Sequence, residues 1–402
     1  MNIFEGIRVL DFTNNLAGPY AAAMLSDYGA EVIHVEKPVL GDDNRAYLPR
    51  YEGQSMSFMD NSHGKKSLVL DLKDPEAVKI VEKLVKETDV LIESYRPGVM
   101  KRLGLDYEAM KKVRPDLIYC SVSAFGQTGP EAGRAGYDII AQAVSGLMYM
   151  TGDQDGPPRK VGITVGDNVG ALTAFGAIGA ALYYRERTGI GQQIDVSLVK
   201  TLMWMSNKID DLVLNGHMQH RNGNHHLTLC PYGLFSGNNG DAIVIATISQ
   251  RLWEKLCNVI ERPDLIDDPK FVTNEMRCRN QQELIGIIEG WIKSFGDIRE
   301  AESKLMNAGI PCSKVYDHKD LCENEHYREA GWIVDMPLSD DVKSIRTKKS
   351  VGNPFQFSEC EAHYGKAPVL GQNNLEILSS LGYSDDKAEE LEDKWDRKAR
   401  KK

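Results

Sequence analysis

Six short β-rich runs, separated by helical patterns, constrain this chain more than any other feature of its first 200 residues: IRVLDF (7–12), EVIHVEK (31–37), SLVLDL (67–72), DVLIESY (89–95), LIYCSVSAF (117–125) and QQIDVSL (192–198). Strands alternating with helix-length segments predict an α/β fold on a parallel sheet with right-handed crossovers. Pro75 to Glu87 reads as one crossover helix, because Asp74 can cap its free N–H groups and Pro75 suits the first helical position. Ligands of such sheets sit at the C-terminal strand ends, so function is sought in the loops that follow these runs.

The alternation stops near Thr201. The expected organisation is a large Rossmann-like domain over 1–200, a linker over 201–230, a smaller inserted α+β domain over 231–325, and a return to the large domain over 326–402. The small domain opens on a hairpin, YGLFSGNNGDAIVIAT (232–247), turning at Asn239-Gly240, followed by helices Gln250 to Val259 and Gln281 to Phe295. The last segment reads as strand-poor, with a helix over 373–384 and a basic tail, KWDRKARKK (394–402), expected to be a frayed, solvated terminus.

A net charge of −10 over 402 residues argues against nucleic acid as a partner, since such binding rests on Lys and Arg neutralising phosphates. A polyanionic ligand therefore needs a local basic pocket. The opening MNIFEGIRVLDF lacks the features of a signal peptide, and no uncharged stretch approaches the ~18 to 20 residues of a membrane span, so no membrane is expected and the location is expected to be cytoplasmic. Seven cysteines form no CxxC pair and read as reduced thiols.

Asp167 stands alone in VGITVGDNVGALTAFGAIGAALYYRERTG (161–189), at the head of a small-residue run with helical spacing and a Gly189 stop. It reads as the N-cap of a helix starting there. The same geometry suits a nucleophile, kept ionised by the helix end yet poorly solvated against an apolar wall. Both roles stay open from these residues alone.

Basic residues flank the strands, with Lys37, Lys65, Lys66, Lys73, Arg96 and Arg102 near their ends; Lys37, Lys73 and Arg102 are candidates for the local pocket of a phosphorylated ligand. The unit ending in Glu36 has the outline of a dinucleotide-binding fold, where such an acid holds a ribose. It lacks the glycine fingerprint and so argues against a nicotinamide cofactor. His217, His220, His225 and His226, with Asp210 and Asp211 upstream, raise a metal site, but their spacing fits no standard pattern and no metal is expected.

In their order and spacing, GIRVLDFTNNLAGPYAAAMLSDYGAEVIHVEKP, GKKSLVLDLK, ESYRPGVMKRLGLDYE, SAFGQTGP, GYDIIAQAVSG, VGDNVGALTA, TGIGQQIDVSL, AGIPCSKV and APVLGQNNLEILSSLGYS resemble the class III CoA-transferases, the CaiB/BaiF family, over almost the whole chain. The resemblance implies that Asp167 is the catalytic aspartate and Tyr137 a residue beside the reaction centre. It implies that Asn15, Leu16 and Ala17 form a turn on CoA, that Lys37 lies beside its adenosine phosphate, that Leu72 and Lys73 lie near the adenine and phosphates, and that Ser94, Tyr95 and Arg102 make further CoA contacts. It also implies an interlocked homodimer, acyl-CoA and a small carboxylic acid as substrates, no permanently bound cofactor, and an aspartyl anhydride followed by an aspartyl-CoA thioester.

Two departures bear on substrate. Formyl-CoA:oxalate enzymes carry a glycine-rich lid and a glutamine in the first CoA turn, where this chain has RNGNHHLTLCPYG and Leu16, which points away from oxalate. The α-methylacyl-CoA racemases, the alternative reading, have a proton-shuttling histidine where GYDII places Tyr137. A tyrosine, with an ordinary pKa near ~10, is a poor base at neutral pH.

Overall fold

The computed structural model describes residues 2–206 and 209–400, and its contacts divide into two compact units, 1–147 with 160–207 and 328–402, and 148–159 with 208–327. Positions 207 and 208 of the expected linker, and Lys401 and Lys402 of the tail, lie outside the described residues.

The first unit is built on strands β1 (Arg8–Phe12), β2 (Glu31–Glu36), β3 (Lys66–Val69), β4 (Val90–Glu93), β5 (Ile118–Ser123) and β6 (Gln193–Ser197). They form one sheet in the order β3-β2-β1-β4-β5-β6, and every neighbouring pair is parallel. This is the order of a doubly wound sheet, which reverses direction between β1 and β4 and opens a crevice there. All six runs marked in the sequence are strands of this sheet.

Alternate strand residues feed two cores. Val9, Val32, Val90 and Ile92 face α1 (Ala17–Asp27); Leu10, Ile33 and Leu91 face α2 (Pro75–Val85), which Asp74 caps through the Glu76 N–H. Such apolar alternation on both sides is what a sheet covered on both faces demands.

Helices α3 (Asp138–Val144), α4 (Val165–Thr188) and α5 (Leu198–Ser206) are among those that follow in this unit. Helix α4 buries Gly166, Gly170, Ala171, Ala174, Ile178 and Ala181, and its small residues let α1 approach closely. It also corrects the expectation that nothing in the chain has the length of a membrane span. Its 18-residue window has mean hydropathy 1.3, enough by length and composition to cross a bilayer, although 33% of that window is buried in the fold.

The second unit pairs β7 (Tyr232–Ser236), β8 (Ala242–Ala246) and β9 (Cys312–Lys314) antiparallel in the order β9-β8-β7, with α6 (Gln250–Val259), α7 (Gln281–Lys293) and α8 (Ile298–Asn307). Phe235, Ile243 and Ile245 pack with Trp253, Leu284 and Ile288. The hairpin turns at Asn239 and Gly240, whose φ values of 56° and 86° are the left-handed geometry that Asn-Gly supplies.

The last segment is richer in strands than its sequence suggests: β10 (Ile333–Pro337) and β11 (Thr347–Val351) pair antiparallel. Its basic tail is not frayed up to Arg400 but forms α9 (Asp385–Arg400), which buries Leu391 and Trp395 against the α2 side of the sheet. A leucine and a tryptophan spaced by four residues on one helical face are reason enough for that docking.

Candidate active site

The crevice between β1 and β4 holds a cavity of about 100 Å³. Asn15, Leu16, Ala17, Ser94, Tyr137 and Asp167 all line it, so six of the residues marked in the sequence meet in one place. The turn after β1 is fixed from several sides. Asn15 has φ 71°, a left-handed conformation asparagine tolerates, and its C=O accepts from the side chains of Asn44 (3.1 Å) and Asn61 (2.8 Å). Its N–H donates to Asp42 (3.2 Å), its side-chain oxygen accepts from the Tyr47 hydroxyl (2.6 Å), and the preceding Asn14 N–H donates to Ser94 Oγ (2.9 Å). Leu16 caps α1 without a side-chain hydrogen bond, and Ala17 and Gly18, in the first turn, whose N–H groups have no partner within the helix, line the same cavity as Asp167.

Tyr137 is 71% exposed and immediately precedes α3. Gly136 before it is obligatory: a Cβ there would lie 2.8 Å from Ala124 Cβ and 3.0 Å from Phe125. That close approach brings the α3 end beside the β5 loop.

Asp167 is not the N-cap of α4. Thr164 holds that position without a side-chain bond, and Asp167 sits in the first turn. The capping oxygen comes from another helix: buried Asp138 accepts the Gly166 N–H at 2.7 Å through Oδ1 and the Gln142 amide at 2.7 Å through Oδ2. Gly166 is needed for this, since a Cβ would meet Asp138 Oδ1 at 2.9 Å. Relieved of capping, Asp167 also ionises less readily than a helix-end carboxylate would. Burial, and then the like charge of Asp138, push it up to about 7. Asp138 was missed in the sequence, where only its place before the apolar IIAQAV marked it as a helix-start acid.

Behind the Asn15 turn lies a buried ionic cluster of three carboxylates and three cations. Lys65 Nζ donates to Asp11 (2.9 Å) and to the Pro19 C=O (2.9 Å), and His34 lies between Asp11 (3.1 Å) and Asp42 (3.5 Å). Arg45 holds Glu36 through two bonds of 2.7 Å, joined by the Ser67 hydroxyl at 2.6 Å and the Asp42 N–H at 2.8 Å. Burial alone would lower His34, yet the charge and hydrogen bond of Asp11 raise it to about 10, so it is an imidazolium at neutral pH. Burial likewise works to raise Glu36, but Arg45 and His34 hold it at about 2.

Glu36 is committed to Arg45 and has no freedom to hold a ribose. Lys65 is a core residue, not part of a ligand pocket, and Lys66 pairs with Glu31 (2.8 Å) and Glu376 (2.6 Å).

A second cavity, about 390 Å³, opens where β2 and β3 end. Lys37, Leu72, Lys73 and Tyr95 line it. Lys37 forms an ion pair with Asp43. Arg102 is exposed on the short helix Val99–Leu103, whose Val99 and Leu103 line this cavity, but Arg102 itself lines neither. Neighbouring strands lie ~4.8 Å apart, so the stretch from β3 to β5 spans about 19 Å of sheet edge, a track for an elongated ligand.

In the second unit the four histidines disperse rather than converge. His217 faces Asp211 (3.5 Å), His220 the Tyr149 hydroxyl (3.4 Å), His226 accepts the Thr228 N–H (3.1 Å), and His225 packs edge-on to Phe235. Among the described residues no group of three or more His, Cys, Asp or Glu side chains could hold a metal ion.

Comparison with known proteins gives the following. The family model of CoA-transferase family III matches residues 4–374. The chain is 36% identical to succinyl-CoA:glutarate CoA-transferase of Mus musculus over 97% of its own length and 89% of that protein's. It is 43% identical to acetyl-CoA:oxalate CoA-transferase of Acetobacter aceti over 78% of its own length and 81% of that protein's. A crystal structure of a CaiB/BaiF family protein from Brucella suis superposes with a TM-score of 0.84 at 32% identity, covering 95% of this chain and 100% of that one.

Proposed function

The chain belongs to CoA-transferase family III, enzymes that move CoA between acyl-CoA thioesters and carboxylic acids, and on that premise we propose that Asp167 carries the transfer as a covalent nucleophile. The observation that carries this reading is the half-buried Asp167 carboxyl, raised to about 7, in the small cavity of the β1–β4 crevice that the first residues of α1 also line.

The ionised carboxylate attacks the thioester carbonyl carbon; the C–S bond breaks and CoA departs as thiolate, leaving a mixed aspartyl–acyl anhydride. The thiolate then attacks Asp167 Cγ, and the donor acid leaves as carboxylate with an oxygen taken from the aspartate. The acceptor carboxylate attacks the resulting aspartyl-CoA thioester, and the same two steps in reverse yield the new acyl-CoA and regenerate Asp167. Covalent division turns one hard exchange into easier ones. The Ala17 and Gly18 N–H groups are placed to receive the negative oxygen of each tetrahedral intermediate. The nucleotide end of CoA occupies the 390 Å³ cavity with Lys37, Leu72, Lys73 and Tyr95, and anchoring it there keeps the thiolate near Asp167 between steps. Arg102, exposed one residue from that cavity, and Ser94 and Tyr137 beside Asp167, complete the proposed contacts.

The relatives named for glutarate and for oxalate make a small dicarboxylate the acceptor to test first, with succinyl-CoA and acetyl-CoA as donors. Oxalate belongs in that screen despite Leu16 and the RNGNHHLTLCPYG loop.

Incubation with a competent acyl-CoA followed by intact mass measurement tests the mechanism. A CoA or acyl adduct removable by hydroxylamine is expected, absent in Asp167→Ala, with transfer slowed about 10⁴-fold or more. Transfer by Asp167→Ala at the parent rate would overturn it.

The interlocked homodimer, with the second unit as the inserted small domain, is part of the same proposal. Leu172, Tyr183 and Tyr184 on α4 and Met203, Trp204 and Met205 on α5 are exposed, Trp204 at 80%, an apolar face that a second copy would cover. A dimer by light scattering is the expected outcome, and a stable monomer at micromolar concentration counts against it. On this reading α4 is a core and interface helix rather than a membrane span. The seven unpaired thiols support a reducing, cytoplasmic setting.

A further inference from the structure

The larger cavity holds a third ammonium that the sequence motifs do not mark. The last turn of α9 reaches it, and Lys398 lines the same space as Lys37 and Lys73. Its placement is imposed from one turn earlier. Trp395 is 1% exposed, its indole N–H donates to Asp74 at 3.0 Å, and Lys394 pairs with the same carboxylate at 2.5 Å. Residues three apart share a helix face, so seating Trp395 in the core directs Lys398 at the cavity rim.

Lys398 Nζ donates to Asp71 at 2.6 Å, just beyond the end of β3. The lysine side chain is 41% accessible and the aspartate 16%, a half-solvated pair of the kind that holds weakly. The remaining charges of the cavity are unbalanced in favour of an anion. Glu36 in its wall is already neutralised by Arg45 and Lys37 is paired with Asp43, which leaves Asp71 as the one carboxylate in the lining against Lys73 and Lys398, while Leu70, Leu72 and Leu103 offer an apolar wall for a flat base.

We infer that Lys398 is a ligand of the phosphomonoester of the CoA nucleotide, exchanging the Asp71 carboxylate for phosphate when an acyl-CoA binds. The inference rests on the reading of this cavity as the nucleotide end of the CoA site. A phosphomonoester carries close to two negative charges at neutral pH and offers three acceptor oxygens, against one charge on Asp71. No covalent bond changes; one ion pair replaces another.

Titration calorimetry with CoA and with dephospho-CoA, which lacks only that phosphomonoester, separates the possibilities. Lys398→Ala should weaken CoA about tenfold and dephospho-CoA less than about twofold, and Lys398→Arg should restore most of the loss. Asp71→Asn, which releases Lys398, should tighten CoA about two- to fivefold and leave dephospho-CoA unchanged. An equal loss for both ligands, or none, overturns the inference. So does a purely structural bridge, in which Lys398→Ala and Asp71→Asn lower the melting temperature together and leave the ratio of the two affinities fixed. In these cases the parent protein still binds CoA and the reading of the cavity stands. A parent protein that binds neither ligand brings down the reading and the inference together.

Discussion

Two sets of buried carboxylates lie at the same end of one sheet and behave in opposite ways. Asp11, Glu36 and Asp42 are matched by Lys65, Arg45 and His34, and Glu36 titrates at about 2. Asp167 is pushed up to about 7 by burial and then by the like charge of Asp138. Residue type does not separate the two sets. What separates them is whether the fold delivers a cation; the first set holds the Asn15 turn, and the second has the unneutralised carboxyl that the proposed role of Asp167 calls for.

The contrast carries opposite pH signs. Glu36 is lowered, so its contribution to stability is present above its unfolded value and is lost as pH falls through about 2. His34 is raised, so its contribution is complete below its unfolded value and is lost as pH rises through about 10. Asp167 is raised, and the fold is relieved of strain when it is protonated; that benefit disappears as pH rises through about 7.

The largest test strikes the matched set. Lys65→Met removes one of the two cations against buried Asp11 and the donor to the Pro19 carbonyl, and urea unfolding should register a loss of about 3–5 kcal/mol. A loss under about 1 kcal/mol would dissolve the distinction.

The next effect has the opposite sign. Asp167→Asn should abolish transfer yet stabilise the protein, by on the order of 2 kcal/mol at pH 8 and by much less at pH 5. Thermal melts at the two pH values read this directly, and an equal change at both would mean that Asp167 is not held near pH 7.

The smallest effect refines the cause. In the parent enzyme kcat/KM should fall tenfold per unit below pH 7, since in the proposed mechanism only the carboxylate attacks. Asp138→Asn keeps an oxygen for the Gly166 N–H but removes the charge, and should move that acidic limb down by about one unit. An unmoved limb would leave burial as the sole cause.

The sequence made the sheet legible because its signal is local. Each of the six runs carries its own β-rich pattern, and Asp74-Pro75 and Asn239-Gly240 punctuate their elements without help from elsewhere. The tail departs from its expected fraying for the same reason: its charges are local, whereas the burial of Trp395 depends on Asp74, 321 residues away in the chain. Asp138 reaches Gly166 across 28 residues and Lys65 reaches Asp11 across 54, and nothing in either neighbourhood announces the partner.

The alternating strands, the crevice loops that carry Asn15, Ser94 and Tyr137, and the isolation of Asp167 in an apolar run are all properties of neighbouring residues. Which carboxylates meet a cation, which one is left beside another carboxylate, and that Lys398 joins Lys37 and Lys73 depend on contacts between residues far apart in the chain. Backbone pattern is written in neighbouring residues, but the charge state of a side chain is set by whatever the fold brings within a few ångströms of it.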